Sequence, residues 1–289
     1  MENQPKKRWG DRPDGRKARK ITPYQAIIPF MMPKRCDAEV FLREKVDVTE
    51  LKAYLEKKNA SQDYRTTLFH AVLAAAAKTV FARPLLNRFV SGKHYYDRDR
   101  VTFCFLAKRK MADHAEGAEM IMQVYPSDTI DTISRRIVGE VDEVREGKDD
   151  NGTDNTMEIL AKIPRCIMTP IFWVLNLLER YGWLPKSFMK VDPYHVTMFL
   201  SNLGSIQCDA AYHHLANFGT NSLFATIGYV RPQQVQMPDG SVQWREIMEL
   251  CFTVDERIAD GFYFARSIQL LKSYLTDPAQ LDLPFKEEP

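Results

Sequence analysis

The chain has 289 residues, of which 45% are hydrophobic, 27% charged and 11% aromatic, a globular composition that excludes an intrinsically disordered chain. Forty Lys and Arg against 38 Asp and Glu leave a net charge of +2, so the chain as a whole is not a nucleic-acid or other polyanion binder. Five cysteines, at positions 36, 104, 166, 208 and 251, stand too far apart for a CxxC pair, a zinc knuckle or an even disulfide framework, which predicts a reducing, cytoplasmic setting and no metal site. The length admits one large domain or two small ones.

From Met1 to Lys20 the sequence is polar, with eight Lys or Arg against three acidic residues. No signal peptide is expected there, and the stretch reads as a basic N-terminal arm over residues 1–25, either contacting an acidic partner or simply solvated. Ile21 to Pro33 carries prolines at 23, 29 and 33 and is predicted to be extended rather than helical. Phe41 to Val46 reads as a strand. Asp47-Val48-Thr49-Glu50 has the form of a capping box opening a helix to about Lys58. Thr66 to Phe81 recurs at helical spacing through Leu68, Val72, Ala75, Ala76 and Val80, and Arg83-Pro84 stops it. Its alanine run predicts close approach of another element. Arg100 to Lys108 and Ala118 to Tyr125 read as strands, and Thr129 to Glu146 as an amphipathic helix.

Lys148 to Asn155 is a polar loop, after which residues 157–190 form an apolar helical insert. Its charge-free run, Cys166 to Leu178, is too short for a bilayer crossing of about 20 residues. It reads as a helix pair buried in a core or subunit contact, as the lining of an apolar tunnel, or as a membrane-surface segment. Tyr194 to Leu200 is a predicted strand entering the turn Ser201-Asn202-Leu203-Gly204. Ser222 to Gln236 and Val242 to Val254 read as strands joined through Asp239-Gly240, followed by a helix from Tyr263 to Tyr274 that stops at Asp277-Pro278. The mixture predicts an α+β fold, a two-layer sandwich with a mixed β-sheet flanked by helices.

Phe252-Thr253-Val254-Asp255-Glu256-Arg257-Ile258-Ala259-Asp260-Gly261 resembles the Asp-His-Arg-x-x-Asp-Gly signature of the dihydrolipoyl acyltransferase catalytic domains of 2-oxo acid dehydrogenase complexes, which are chloramphenicol acetyltransferase-like. Asp255, Arg257, Asp260 and Gly261 keep the frame, but the histidine position holds Glu256. In the family's order, Val46 to Leu51 resembles its first core helix, and Thr67 to Ala76 with Arg83 to Asn87 its alanine-rich helix. Phe199 to Gly204 resembles its Ser-Asn-Leu-Gly turn, and Leu271 to Leu281 its closing helix. The resemblance spans about residues 40 to 285, giving one acyltransferase-like domain over 26–289. Its Gly-Leu-x-x-Pro coenzyme segment is not found between Lys108 and Ser127, and no lipoyl or subunit-binding domain is expected before the core.

The resemblance implies coenzyme A or an acyl-CoA as co-substrate, no covalent lipoyl group, and a homotrimer with the site shared between neighbouring subunits. It places Ser201 at the oxyanion, Glu256 at the position of the base, and Asn202, Asp255, Arg257, Asp260 and Gly261 around them. A carboxylate near pKa 4.3 is a poor base for a thiol near 8.5 unless burial raises it. Two readings therefore stand: a stand-alone acyltransferase with an atypical site, or a catalytically silent trimeric scaffold or binding protein. His195, expected on the same strand as Ser201, would lie about 20 Å from it. His213-His214 read either as folded back toward the turn or as surface residues, and Cys208 and Cys251 read as inert thiols.

Overall fold

One seven-stranded sheet collects the period-two segments of the chain. The computed structural model describes residues 6–108, 117–145 and 162–286; the polar loop expected at 148–155 and the first residues of the apolar insert lie outside them. The sheet contains β2 (Glu39–Asp47), β5 (Val101–Lys108), β6 (Gly117–Val124), β7 (Met198–Asn202), β8 (Leu223–Ile227), β9 (Arg231–Gln236) and β10 (Val242–Asp255). Its order is β2-β10-β8-β7-β5-β6, with β9 paired to the first half of β10. β7 runs parallel to both β5 and β8, and the other pairings are antiparallel, so the sheet is mixed.

Helices α2 (Thr49–Asn59), α3 (Leu68–Ala82), α4 (Ile130–Arg145) and α7 (Gly261–Thr276) pack against one face. Ala74 to Ala77 of α3 are all at most 1% exposed, which lets α7 and β5 approach the α3 backbone as the alanine run implies. Phe103, Leu200, Met248 and Leu250 meet this layer from the sheet. The result is the two-layer α+β sandwich expected from the sequence. A separate small sheet, β1 (Gly15–Lys17), β4 (His94–Arg98) and β3 (Arg88–Ser91), lies in the order β1-β4-β3. Part of the basic arm is thus packed: Arg12 is only 2% exposed.

Four expectations need correction. Residues 23–31 form a helix, α1, rather than an extended run. Thr22 caps it in a box with Gln25, and Pro23 occupies the first turn, where no amide donor is needed. Pro29 cannot donate to the Gln25 carbonyl, but the Tyr95 hydroxyl does so at 2.9 Å. The start of α2 is not a capping box: Val48 is the N-cap, and Asp47 instead accepts from the Thr49 amide and hydroxyl at 3.0 and 2.6 Å. Residues 193–195 are a 3-10 turn, so the strand begins at Met198 rather than Tyr194. The long strand expected from 222 to 236 is broken at Gly228, where a Cβ would lie 2.5 Å from the Ala210 amide nitrogen.

Helix α5 (Arg165–Tyr181) and the short α6 (Lys186–Val191) form the apolar insert. They are not a pair buried in the core of this chain. Ile167, Trp173, Tyr181 and Trp183 are all more than half exposed.

Candidate functional site

Ser201 and Asn202 are the last two residues of β7, both half-buried. Ser201 lies in register with Thr226 of β8, whose hydroxyl donates to the Ala211 carbonyl at 2.5 Å. Segment 207–216 is thereby folded back over the sheet face opposite the helices, where His213 stacks on Phe224 at 4.1 Å and Phe224 on Phe199 at 5.1 Å. The turn after Ser201 needs its glycine, because a Cβ on Gly204 would lie 2.7 Å from the Gly228 carbonyl oxygen. His213 faces an aromatic stack, and the His213 and His214 rings lie against each other.

At the other end of the sheet, β10 runs out at Asp255, which is fully buried. Arg257 grips its carboxylate with both Nε and Nη2, at 2.8 and 2.7 Å, and donates Nη1 to the Met32 carbonyl at the end of α1. Arg35, 4% exposed, lies 3.8 Å from the same carboxylate and donates to the carbonyls of Ala216 and Gly219. Burial pushes this guanidinium down to about 10, against the opposing charge of Asp255. The Glu256 amide donates to the Ala38 carbonyl at 2.9 Å, but its side chain is exposed and pairs with none of the described residues. Asp260 caps α7 by accepting from the Tyr263 amide at 2.7 Å, and Gly261 opens that helix. Asp255 and Arg257 thus fix the loop, Asp260 fixes the helix start, and Glu256 is displayed.

The structure does not bring Ser201 and Glu256 together within one chain. Ser201 is level with Thr226, and Thr226 with Cys251. Glu256 is five residues further along β10, about 16 Å along the strands and about 10 Å across two strand spacings. One chain presents the hydroxyl at one end of the sheet and the carboxylate at the other. Any site containing both is built from two copies.

Reading the sequence missed two charged clusters. Arg35 has no local signal, since its contacts are about 180 residues away in the chain. The second cluster joins the arm to the insert. Arg12 donates to Asp14, to Ser91 and to both Glu179 oxygens, at 3.0 and 3.2 Å for the last two. His195 bridges Glu179 through Nε2 at 2.8 Å and Asp192 through Nδ1 at 2.5 Å. It is therefore a buried structural imidazole rather than a strand residue on the Ser201 side. Burial alone would lower its pKa, but the bonds to Asp192 and Glu179 raise it above the ordinary histidine value. Burial would likewise raise Glu179, yet the His195 bond and the Arg12 charge hold it at about 2.

The remaining groups carry no chemistry here. Cys251 is buried on β10 and Cys104 on β5, and desolvation raises both thiols, while Cys208 is exposed. His70, pushed down to about 4 by burial, caps α3 with Thr67. An apolar gap between the sheet and α3 and α7, lined by Ala76, Met198 and Phe252 among others, holds no titratable group. Among the described residues, no three His, Cys, Asp or Glu are placed to hold a metal ion.

Residues 190–283, the third of the chain that holds both the Ser201 turn and the Asp255–Gly261 loop, match the family described as 2-oxoacid dehydrogenases acyltransferase (catalytic domain). The fold is that of solved structures at low identity. A probable dihydrolipoamide acetyltransferase from Listeria monocytogenes is 16% identical over 91% of this chain and 95% of its own, with a TM-score of 0.60. The cubic core of a pyruvate dehydrogenase multienzyme complex is 14% identical over 92% and 94%, with a TM-score of 0.61. A truncated 2-oxoacid dehydrogenase catalytic core from Thermoplasma acidophilum is 16% identical over 91% and 99%, at 0.56. No curated protein sequence matches significantly.

Proposed function

From a chain that resembles the catalytic domain of the 2-oxo acid dehydrogenase acyltransferases, in fold throughout and in sequence over residues 190–283, we propose an acyltransferase that moves an acyl group from coenzyme A, or another thioester, to an acceptor. The observation that carries this reading is the pair of family segments at opposite ends of one sheet. The half-buried Ser201 hydroxyl ends β7, and the Glu256 carboxylate is displayed on a loop clamped by Asp255 and Arg257. In a symmetric oligomer, here a trimer, Ser201 of one copy meets Glu256 of the next.

At that junction Glu256 accepts the proton of the attacking thiol or hydroxyl, and the new bond forms at the thioester carbonyl. Ser201 donates a hydrogen bond to the oxyanion and Asn202 shapes the strand end beside it; as the tetrahedral centre collapses the carbon–sulfur bond breaks, and the departing thiolate takes the proton from Glu256. A displayed carboxylate in water is weakly basic, so the chemistry depends on the second copy covering Glu256. Arg35, Arg257 and Asp255 act one step removed by holding the loop that carries it.

The exposure of Glu256 favours a second reading, a trimeric scaffold that keeps the fold without turnover. Calorimetric titration with coenzyme A, with an acyl-transfer assay of wild type, Ser201→Ala and Glu256→Gln, separates the two. The acyltransferase reading expects coenzyme A binding and a loss of about 10²–10³ in kcat for Ser201→Ala. A wild type that neither binds coenzyme A nor consumes thioesters leaves the scaffold.

A further inference from the structure

Helix α5 is turned inside out relative to an ordinary surface helix. Its one acidic residue, Glu179, faces inward and is held by Arg12 and His195. The opposite face carries Ile167, Val174 and Tyr181 at seven-residue spacing, flanked by Trp173 at 66% exposure. Beyond the left-handed Gly182 that ends the helix, Trp183 is 67% exposed and stacks on Tyr181 at 5.0 Å. This is a contiguous apolar and aromatic face held outward by a buried ion network, the kind of patch that marks an interaction surface.

Charge indicates what covers it. Arg165, Arg180, Lys186 and Lys190 are all exposed along α5 and α6, and no exposed acidic residue lies between 165 and 191. The chain as a whole is close to neutral, so this local imbalance is specific to the insert. Cations around an apolar face with Trp and Tyr at its rim match the chemistry of a negatively charged lipid interface, where aromatic rings sit at headgroup depth. A helix of 17 residues is about 25 Å long, and no helix among the described residues is long and apolar enough to cross a membrane. It fits lying in the plane. We propose that α5 and the α5–α6 turn seat this protein on the surface of an anionic lipid bilayer.

The proposal is independent of acyl transfer and is tested on the full chain. The protein is sedimented with phosphatidylcholine vesicles with and without phosphatidylserine, and its tryptophan emission is followed. Wild type is expected to pellet with the phosphatidylserine vesicles, with a blue-shifted emission and release by added salt. Trp173→Ser combined with Trp183→Ser is expected to weaken partitioning roughly tenfold. Lys186→Glu combined with Lys190→Glu should abolish the preference for phosphatidylserine, since each cation near such a surface strengthens binding about fivefold. All four side chains are exposed, and circular dichroism checks that the variants keep the fold. A wild type that stays in the supernatant, or that binds neutral vesicles equally well, overturns the proposal. So does a tryptophan variant that splits an oligomer while leaving the vesicle result unchanged, since a second copy would then be the cover.

Discussion

Nε2 of His195 lies 2.8 Å from Oε2 of Glu179, across the join between the 3-10 turn before β7 and the apolar helix α5. With Asp192 on its other nitrogen and Arg12 on the far side of Glu179, the imidazole is buried as a cation between two carboxylates. Because its pKa is raised by folding, its contribution to stability is complete below the unfolded value of about 6.5 and is lost as pH rises through the folded value. Glu179 behaves oppositely: held at about 2, it stabilises above its unfolded value and its contribution fades as pH falls toward 2. Thermal unfolding followed from pH 5 upward is therefore expected to show a falling Tm above about pH 6.5 that is absent from His195→Gln. Glu179→Gln, which takes one of two carboxylate partners from both Arg12 and His195, should cost about 3–5 kcal/mol in urea unfolding near neutrality. Identical pH profiles for wild type and His195→Gln would mean that the imidazole is neutral.

Asp255 accepts two hydrogen bonds from the Arg257 guanidinium and faces Arg35, and all three side chains are at most 4% exposed. Asp255→Asn leaves two buried guanidinium groups facing a neutral amide, and a loss of about 3–5 kcal/mol is expected. A cycle with Arg257→Met checks the cause, because once the cation is gone the Asp255→Asn step should be markedly cheaper. Additive losses would show that the pair is not coupled.

What could be read from the sequence depended on whether the information is local. Helix α3 is legible because its apolar residues recur every three to four positions and Arg83-Pro84 ends it. The Ser201 turn and the Asp255–Gly261 loop are legible as motifs. Their separation is not, because it follows from the register of β7, β8 and β10, which no segment encodes alone. Helix α1 is hidden for the same reason. Its prolines argue against a helix, while the hydroxyl that satisfies the freed carbonyl comes from Tyr95, 70 residues away. Arg12 and Arg35 look like ordinary surface groups until partners distant in the chain bury them.

The Tyr95–Gln25 contact gives a direct test of how α1 tolerates Pro29. Removing the hydroxyl in Tyr95→Phe leaves the Gln25 carbonyl with neither a helical nor a side-chain donor, which is expected to cost about 1–3 kcal/mol. Pro29→Ala restores a backbone amide four residues after Gln25. In that background Tyr95→Phe should cost about 1 kcal/mol or less. Chemical denaturation of the four proteins reads the difference, and an equal cost in both backgrounds would remove Pro29 from the explanation.

Ser201 and Glu256 lie at opposite ends of the same sheet, so an active site joining them is shared between copies. Subunits carrying Ser201→Ala keep a good carboxylate, and subunits carrying Glu256→Gln keep a good hydroxyl. Each homo-oligomer is expected to be nearly inactive. When the two are unfolded together and refolded, a junction taking its serine from one variant and its glutamate from the other is intact. Random mixing in a ring makes about a quarter of all junctions of that kind, and so about a quarter of wild-type activity should return. Mixing without refolding should return little, since the copies must exchange first. No recovery in mixed oligomers whose composition has been verified by mass would mean that the two residues do not meet across the interface. A site within one chain would likewise give no recovery under any mixing, because every subunit then lacks one of the two groups.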